Sequence, residues 1–132
     1  MKQQEILEYN KRCAEFLTIK EELKNELSAY PLQEYSSLCS YANSAFISDK
    51  EDNPSNTVWD YCEFHSDWNW IMEVVNAINK TQNPRKSGDT THSTLKREVQ
   101  ALLGKAAKEA VVQAINQFLI YYNNENSNNR QP

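Results

Sequence analysis

His65, Ser66 and Asp67 follow one another in the chain, and Glu63 stands just before them. Imidazole, hydroxyl and carboxylate are the ingredients of a nucleophilic triad, while Glu63 with Asp67 would form an acid–base pair or hold a cation across a turn. Spacing argues against both. Triad members converge from separate positions, whereas consecutive residues at a helix start point apart. Two carboxylates with no third ligand make a poor cation site. The second histidine, His92, lies in a polar stretch with nothing beside it. Cys13, Cys39 and Cys62 are widely spaced, with no CxxC pair and no His/Cys cluster at zinc spacing. Gly88 and Gly104 are the only glycines, too few for a phosphate cradle. The expectation is a protein that is not an enzyme and has no metal or cofactor.

Binding chemistry is better represented. Trp59, Tyr61, Phe64, Trp68 and Trp70 fall close together, and could either form a core junction or stack on nucleobases or a partner. Trp70 lies at the edge of its helix's apolar arc, so it divides evenly between core and contact surface. Charge is segregated. Residues 49–73 hold Asp49, Glu51, Asp52, Asp60, Glu63, Asp67 and Glu73 against Lys50. Residues 80–108 hold Lys80, Arg85, Lys86, Lys96, Arg97, Lys105 and Lys108 against Asp89 and Glu98. A local basic field can steer a phosphate backbone or an acidic protein even when the whole chain is acidic. The plain alternative is that these are solvated helix faces. The candidate partner-binding set is Arg85, Lys86, Lys96, Arg97, Trp70 and Trp59.

The totals set the frame. A chain of 132 residues fits one domain with a real core. A net charge of −4 speaks against bulk nucleic-acid binding and leaves weak or indirect contact. Three unpaired-looking cysteines suit reduced thiols in a cytoplasm. The N-terminus lacks the apolar run of a signal peptide, and no stretch reaches the ~18 apolar residues that span a bilayer. A cytoplasmic protein without membrane contact is expected.

Periodicity predicts a mainly α, single compact helical domain over 1–123, with one short strand or hairpin around 58–64 and a disordered tail over 124–132. Ile6, Tyr9, Cys13, Phe16, Leu17, Leu23 and Leu27 share a face over 2–28, close to a heptad that Lys20 interrupts; Pro31 ends it. A second short helix covers 32–47, and 48–57 is a polar loop. VWDYCEF (58–64) alternates loosely, as either a short strand or an extended lead-in to the central helix. Ser66 would cap a central helix to Lys80, with Trp68, Ile71, Val75 and Ile78 inward. Residues 81–92 form a loop, followed by a helix with Leu95, Val99, Leu102 and Leu103 on one side. Gly104 is its C-cap or a kink. The last helix, 105–123, turns Val111, Ile115, Phe118 and Tyr122 inward. The central helix is expected to pack between the first and last.

HSDWNWIMEVVNAINK (65–80) and KEAVVQAINQFLIYYN (108–123) resemble a family of small proteins encoded by phages and prophages of Bacteroidota. There an HSxWxWxMxVV helix precedes an AVVxxIxxFLxxYN helix; NKRCAEFL (10–17) resembles a third element. Many relatives carry a strand-like segment between the two helices, where this chain has its basic loop and the Leu95–Leu103 helix. The resemblance implies no catalytic residues. It implies an accessory protein that binds and inhibits a host protein or ribonucleoprotein, as inhibitors of CRISPR effectors do. The alternative is a structural or replication accessory protein that self-assembles through its N-terminal helix.

Overall fold

The computed structural model describes residues 1–17, 37–84 and 89–130. Among these there are five α-helices and no strand. They are α1 (Gln3–Phe16), α2 (Ser37–Asp49), α3 (Trp68–Asn79), α4 (Thr91–Gly104) and α5 (Lys108–Arg130). The expected extensions of α1 to residue 28 and of α2 back to residue 32 lie outside the described residues.

The last helix, rather than the central one, is the hub. In α5 the residues Val111, Val112, Ala114, Ile115, Phe118 and Leu119 are all buried, so apolar surface covers more than one stripe of the helix. A helix buried that broadly must be covered from several directions. Here α1, α3 and α4 all pack on it. From α1, the Phe16 ring meets Phe118 and Tyr122 edge-on, with centroids 6.4 and 5.8 Å away. Beside them Arg12 donates to the Asn116 side chain. From α3 come Trp70, Ile71, Val74, Val75 and Ile78, and from α4 Val99, all buried. Each large apolar side chain so buried contributes about 1.5–3 kcal/mol. α5 also runs on to Arg130, past the expected end near Asn123. The polar run of Asn, Glu and Ser holds no proline or glycine, and extending an existing helix adds one bond per residue fixed.

Residues 58–64 are not a strand. Val58–Tyr61 form a 3-10 helix, and Cys62 continues in extended conformation. The alternation of apolar residues was real, but among the described residues there is no second strand to pair with. A single turn instead turns Val58, Trp59, Cys62 and Phe64 into the core. Carboxylates hold this stretch: Asp60 accepts from the Thr57 backbone N–H at 2.7 Å and its hydroxyl at 3.0 Å. Asp49 at the end of α2 accepts from Asn53 and from the Tyr61 hydroxyl. The Phe46 ring packs on Tyr61, joining α2 to the turn.

The cap of α3 falls one residue later than expected. Ser66 is exposed, and Asp67 takes the Asn69 N–H on its Oδ1 at 2.8 Å. The carboxylate wins here because charged acceptors bond more strongly and the dipole favours them.

Between α4 and α5 the chain closes a Schellman turn. Ala107 N–H reaches Leu102 C=O, and Ala106 N–H reaches Leu103 C=O. The left-handed position of this motif, normally glycine, is occupied by Ala106 with φ of 52°. Gly104 is the last helical residue instead, and a Cβ there would meet nothing within 4 Å. Ala106→Gly should therefore raise stability, by up to about 1 kcal/mol, by removing Cβ strain. Gly104→Ala should add roughly 0.5–1 kcal/mol. Urea unfolding of the two single variants and the double swap checks this, and additivity is expected only in part because the sites are neighbours.

Candidate functional site

The structure divides the expected binding set. Arg85 and Lys86 lie outside the described residues. Trp59 and Trp70 are in the core, 7% and 2% exposed, so neither offers a face to a partner. Trp70 meets the Phe64 ring edge-on, with centroids 4.8 Å apart and planes at 87°. The 3-10 helix places Phe64 beside the edge of the α3 arc, which turns that edge inward. Trp68, expected in the core, is instead half-buried, with the Lys108 ammonium 5.6 Å above its ring. Arg97 is exposed, as are Lys80 and Lys105.

Lys96 does something other than meet a partner. Its ammonium donates to the carbonyls of Asn79 and Thr81, at 3.3 and 3.2 Å. These carbonyls sit where α3 ends and its backbone has no helical partner. One turn further along α4, Gln100 donates to the Asn79 side chain at 2.8 Å. One turn before, His92 Nε2 lies 2.9 Å from the Thr81 hydroxyl oxygen. His92, Lys96 and Gln100 thus form a stripe at fourfold spacing that stitches α4 to the end of α3. His92 was expected in a loop with nothing near it. It lies in the first turn of α4, 3% exposed, against the rings of Phe118 and Tyr122. By helical spacing Lys96 and Gln100 fall on the side of the helix opposite Leu95, Val99, Leu102 and Leu103, and Lys96 was expected to meet a partner. Their regular spacing with His92 was the available signal.

The His65, Ser66, Asp67 run does not converge. Asp67 is occupied with its cap, Ser66 faces outward, and His65 turns its Nδ1 toward Asn10 Nδ2 at 3.5 Å. Asn10 is buried in α1 and gives its amide hydrogens to the carbonyls of Trp59 and Cys62, at 3.2 and 3.0 Å. With both hydrogens committed to these carbonyls, the approach of His65 Nδ1 is a close contact and does not fix which ring nitrogen carries the proton. On the outer side His65 joins Met1, Ile6, Glu109, Val112 and Gln113 around an open groove of about 230 Å³. Burial holds the His65 pKa below its ordinary value, offset in part by Glu63. Because the folded value is depressed, the neutral ring stabilises the fold above the unfolded value near 6.5, and that stability is lost as pH falls. Glu63 itself is exposed, and among the described residues no three histidines, cysteines or acids gather as metal ligands.

No protein-family model, curated protein or solved structure matches this chain. Among the described residues no helix is long and apolar enough to cross a membrane.

Two substitutions separate structural from surface roles. Asn10→Ala should cost about 2–3 kcal/mol, since it leaves two buried carbonyls without their side-chain donor. Lys96→Met should cost roughly 1 kcal/mol, discounted for its partial exposure, while Arg97→Ala stays within about 0.5 kcal/mol. Chemical denaturation at one pH and salt concentration measures all three.

Proposed function

We propose that this chain is a non-enzymatic binding protein of the phage accessory kind, which docks on a host protein or ribonucleoprotein and inhibits it. The observation that carries the reading is the fate of the two charge blocks. Asp49, Asp60 and Asp67 are consumed as acceptors for nearby backbone and side-chain donors. Lys80, Arg97 and Lys105 are left facing solvent. Lys80 lies between the two residues whose carbonyls Lys96 holds, Arg97 is exposed on α4, and Lys105 is exposed at the cap that ends it. The end of α3 and the outer side of α4 therefore display three exposed cations, with Glu98 exposed beside Arg97, although the chain as a whole is negative. Such a face suits an acidic protein surface or the phosphates of a bound RNA. Base stacking through Trp59 or Trp70 is not part of this reading, since both rings are enclosed. Any RNA contact would run through the backbone.

Self-assembly through the N-terminal helix is disfavoured by one observation. Over the described part of α1, Tyr9, Cys13 and Ala14 are buried, and Phe16 and Leu17 pack against the same core. That stripe is used inside the molecule.

The test is recovery of partners from host lysate on tagged protein, with and without nuclease, beside a variant carrying Lys80→Glu, Arg97→Glu and Lys105→Glu. One defined effector should be recovered, at least tenfold less on the variant, with recovery falling as salt rises. Equal recovery on both proteins overturns the basic face, and recovery of the chain alone favours assembly.

A further inference from the structure

We propose that His92 is a proton-operated latch: taking up a proton unfastens the first turn of α4 from the end of α3, while the core around α5 stays folded. The inference is independent of the binding function proposed above. It starts from one hydroxyl. Thr81 Oγ1 donates its only hydrogen to the Ile78 carbonyl at 2.7 Å. Its oxygen can therefore only accept from His92 Nε2, 2.9 Å away, which must carry a hydrogen. The neutral ring keeps Nδ1 bare, and a second proton has to be added there.

Among the described residues, the influences on the ring's charge are burial and Lys96, with no carboxylate among them. From α5 the ring meets Phe118, at 5.5 Å, and Tyr122, at 6.2 Å, with Phe16 of α1 behind them. From the connection between α3 and α4 it meets the Thr81 hydroxyl. The carboxylate of Asp89, in the same connection, accepts from the Thr91 backbone N–H. Glu125, the next acid on α5, follows Tyr122 by nearly a turn. Within α4 the neighbouring charge is Lys96, one turn on and of the same sign. A buried imidazolium with a cation beside it is costly unless it reaches water. Burial first, and Lys96 second, hold the His92 pKa below its ordinary value of 6.5.

The ring can reach water by leaving. That movement breaks the bond to Thr81 and swings out the first turn of α4. Lys96 and Gln100 keep their bonds to Asn79, and Val99 remains in the core, so the opening stops after one turn. The sign follows from the depressed folded value: the latch is closed above about pH 6.5 and opens as pH falls through the value in the folded protein. His65 differs in having an exposed side on the groove and Glu63 nearby, so it can charge in place.

With only two histidines, the imidazole signals can be assigned by single substitution and followed by NMR from pH 7.5 to 4.5. Amide exchange is measured alongside, corrected for the intrinsic rate. As His92 titrates, the amides of Thr81, Thr91 and Thr94 should lose at least tenfold protection, while Ile71 and Val111 keep theirs. His92→Gln can still donate to Thr81 and should abolish the effect; His65→Gln should not. Thr81→Val, which removes the acceptor, should show the open pattern already at pH 7.5. The latch is wrong if His92→Gln opens with the same pH dependence, or if every amide is lost in one transition. It is equally wrong if Thr81→Val leaves the three amides protected.

Discussion

A helix leaves four N–H groups unpaired at its start and four carbonyls at its end, and in a domain of this size most such ends lie close to the core. Asn10 carries the heaviest share of the resulting demand. Its amide closes the carbonyls of Trp59 and Cys62 and thereby ties α1 to an irregular segment that enters the core. That tie helps Val58, Trp59, Cys62 and Phe64 to be buried together, because it supplies side-chain donors to backbone carbonyls in the interior. The clamp is not perfect: Asn10 Oδ1 is itself buried without an acceptor's due. The packing gained around Phe64 and Trp70 outweighs that deficit.

The same demand explains the charges. In the stretch from Asp49 to Asp67 backbone and side-chain donors are many and regular structure is scarce, so carboxylates serve as acceptors. At the junction of α3 and α4 the groups in need are carbonyls, and donors serve: Lys96, Gln100 and, through Thr81, His92. The acidic and basic blocks of the sequence thus reflect in part which end of a helix each block must close. Among the described bases, Arg97 and Lys105 are left facing solvent, as are the acids Glu51, Asp52 and Glu63.

The helical architecture was legible because apolar periodicity runs through α3, α4 and α5 and turn residues separate α3 from α4. The core lines Ile71, Val75, Ile78 and Val111, Ile115, Phe118 emerged at the expected positions. What could not be read was anything decided between elements. VWDYCEF has the composition of a strand, but a strand is defined by its partner, and none is present among the described residues. Trp70, divided evenly between core and contact surface by its position, is enclosed because Phe64 packs on that side of α3, a tertiary fact with no local signature, while Trp68 packs on the core half-buried. Lys96 looked like a surface cation for the same reason. Of the six residues expected to meet a partner, Arg97 alone is both described and exposed.

Two aromatic groups divide the interior. Phe64 with Trp70 fastens the irregular lead-in to α3, and Phe16, His92, Phe118 and Tyr122 fasten α1 and α4 to α5. The first is wholly apolar where it touches, so its strength does not depend on pH. The second contains an imidazole where a phenylalanine would have packed without a hydrogen-bonding requirement. Thr81 meets that requirement only by spending its own proton on Ile78, which fixes the tautomer of the neutral ring with its hydrogen on Nε2. A hydrophobic ring at that position would bind α4 to α5 through packing alone and would leave the end of α3 without its link to the first turn of α4. The histidine joins three elements at once, and its dependence on protonation is the physical consequence of doing so with a titratable group.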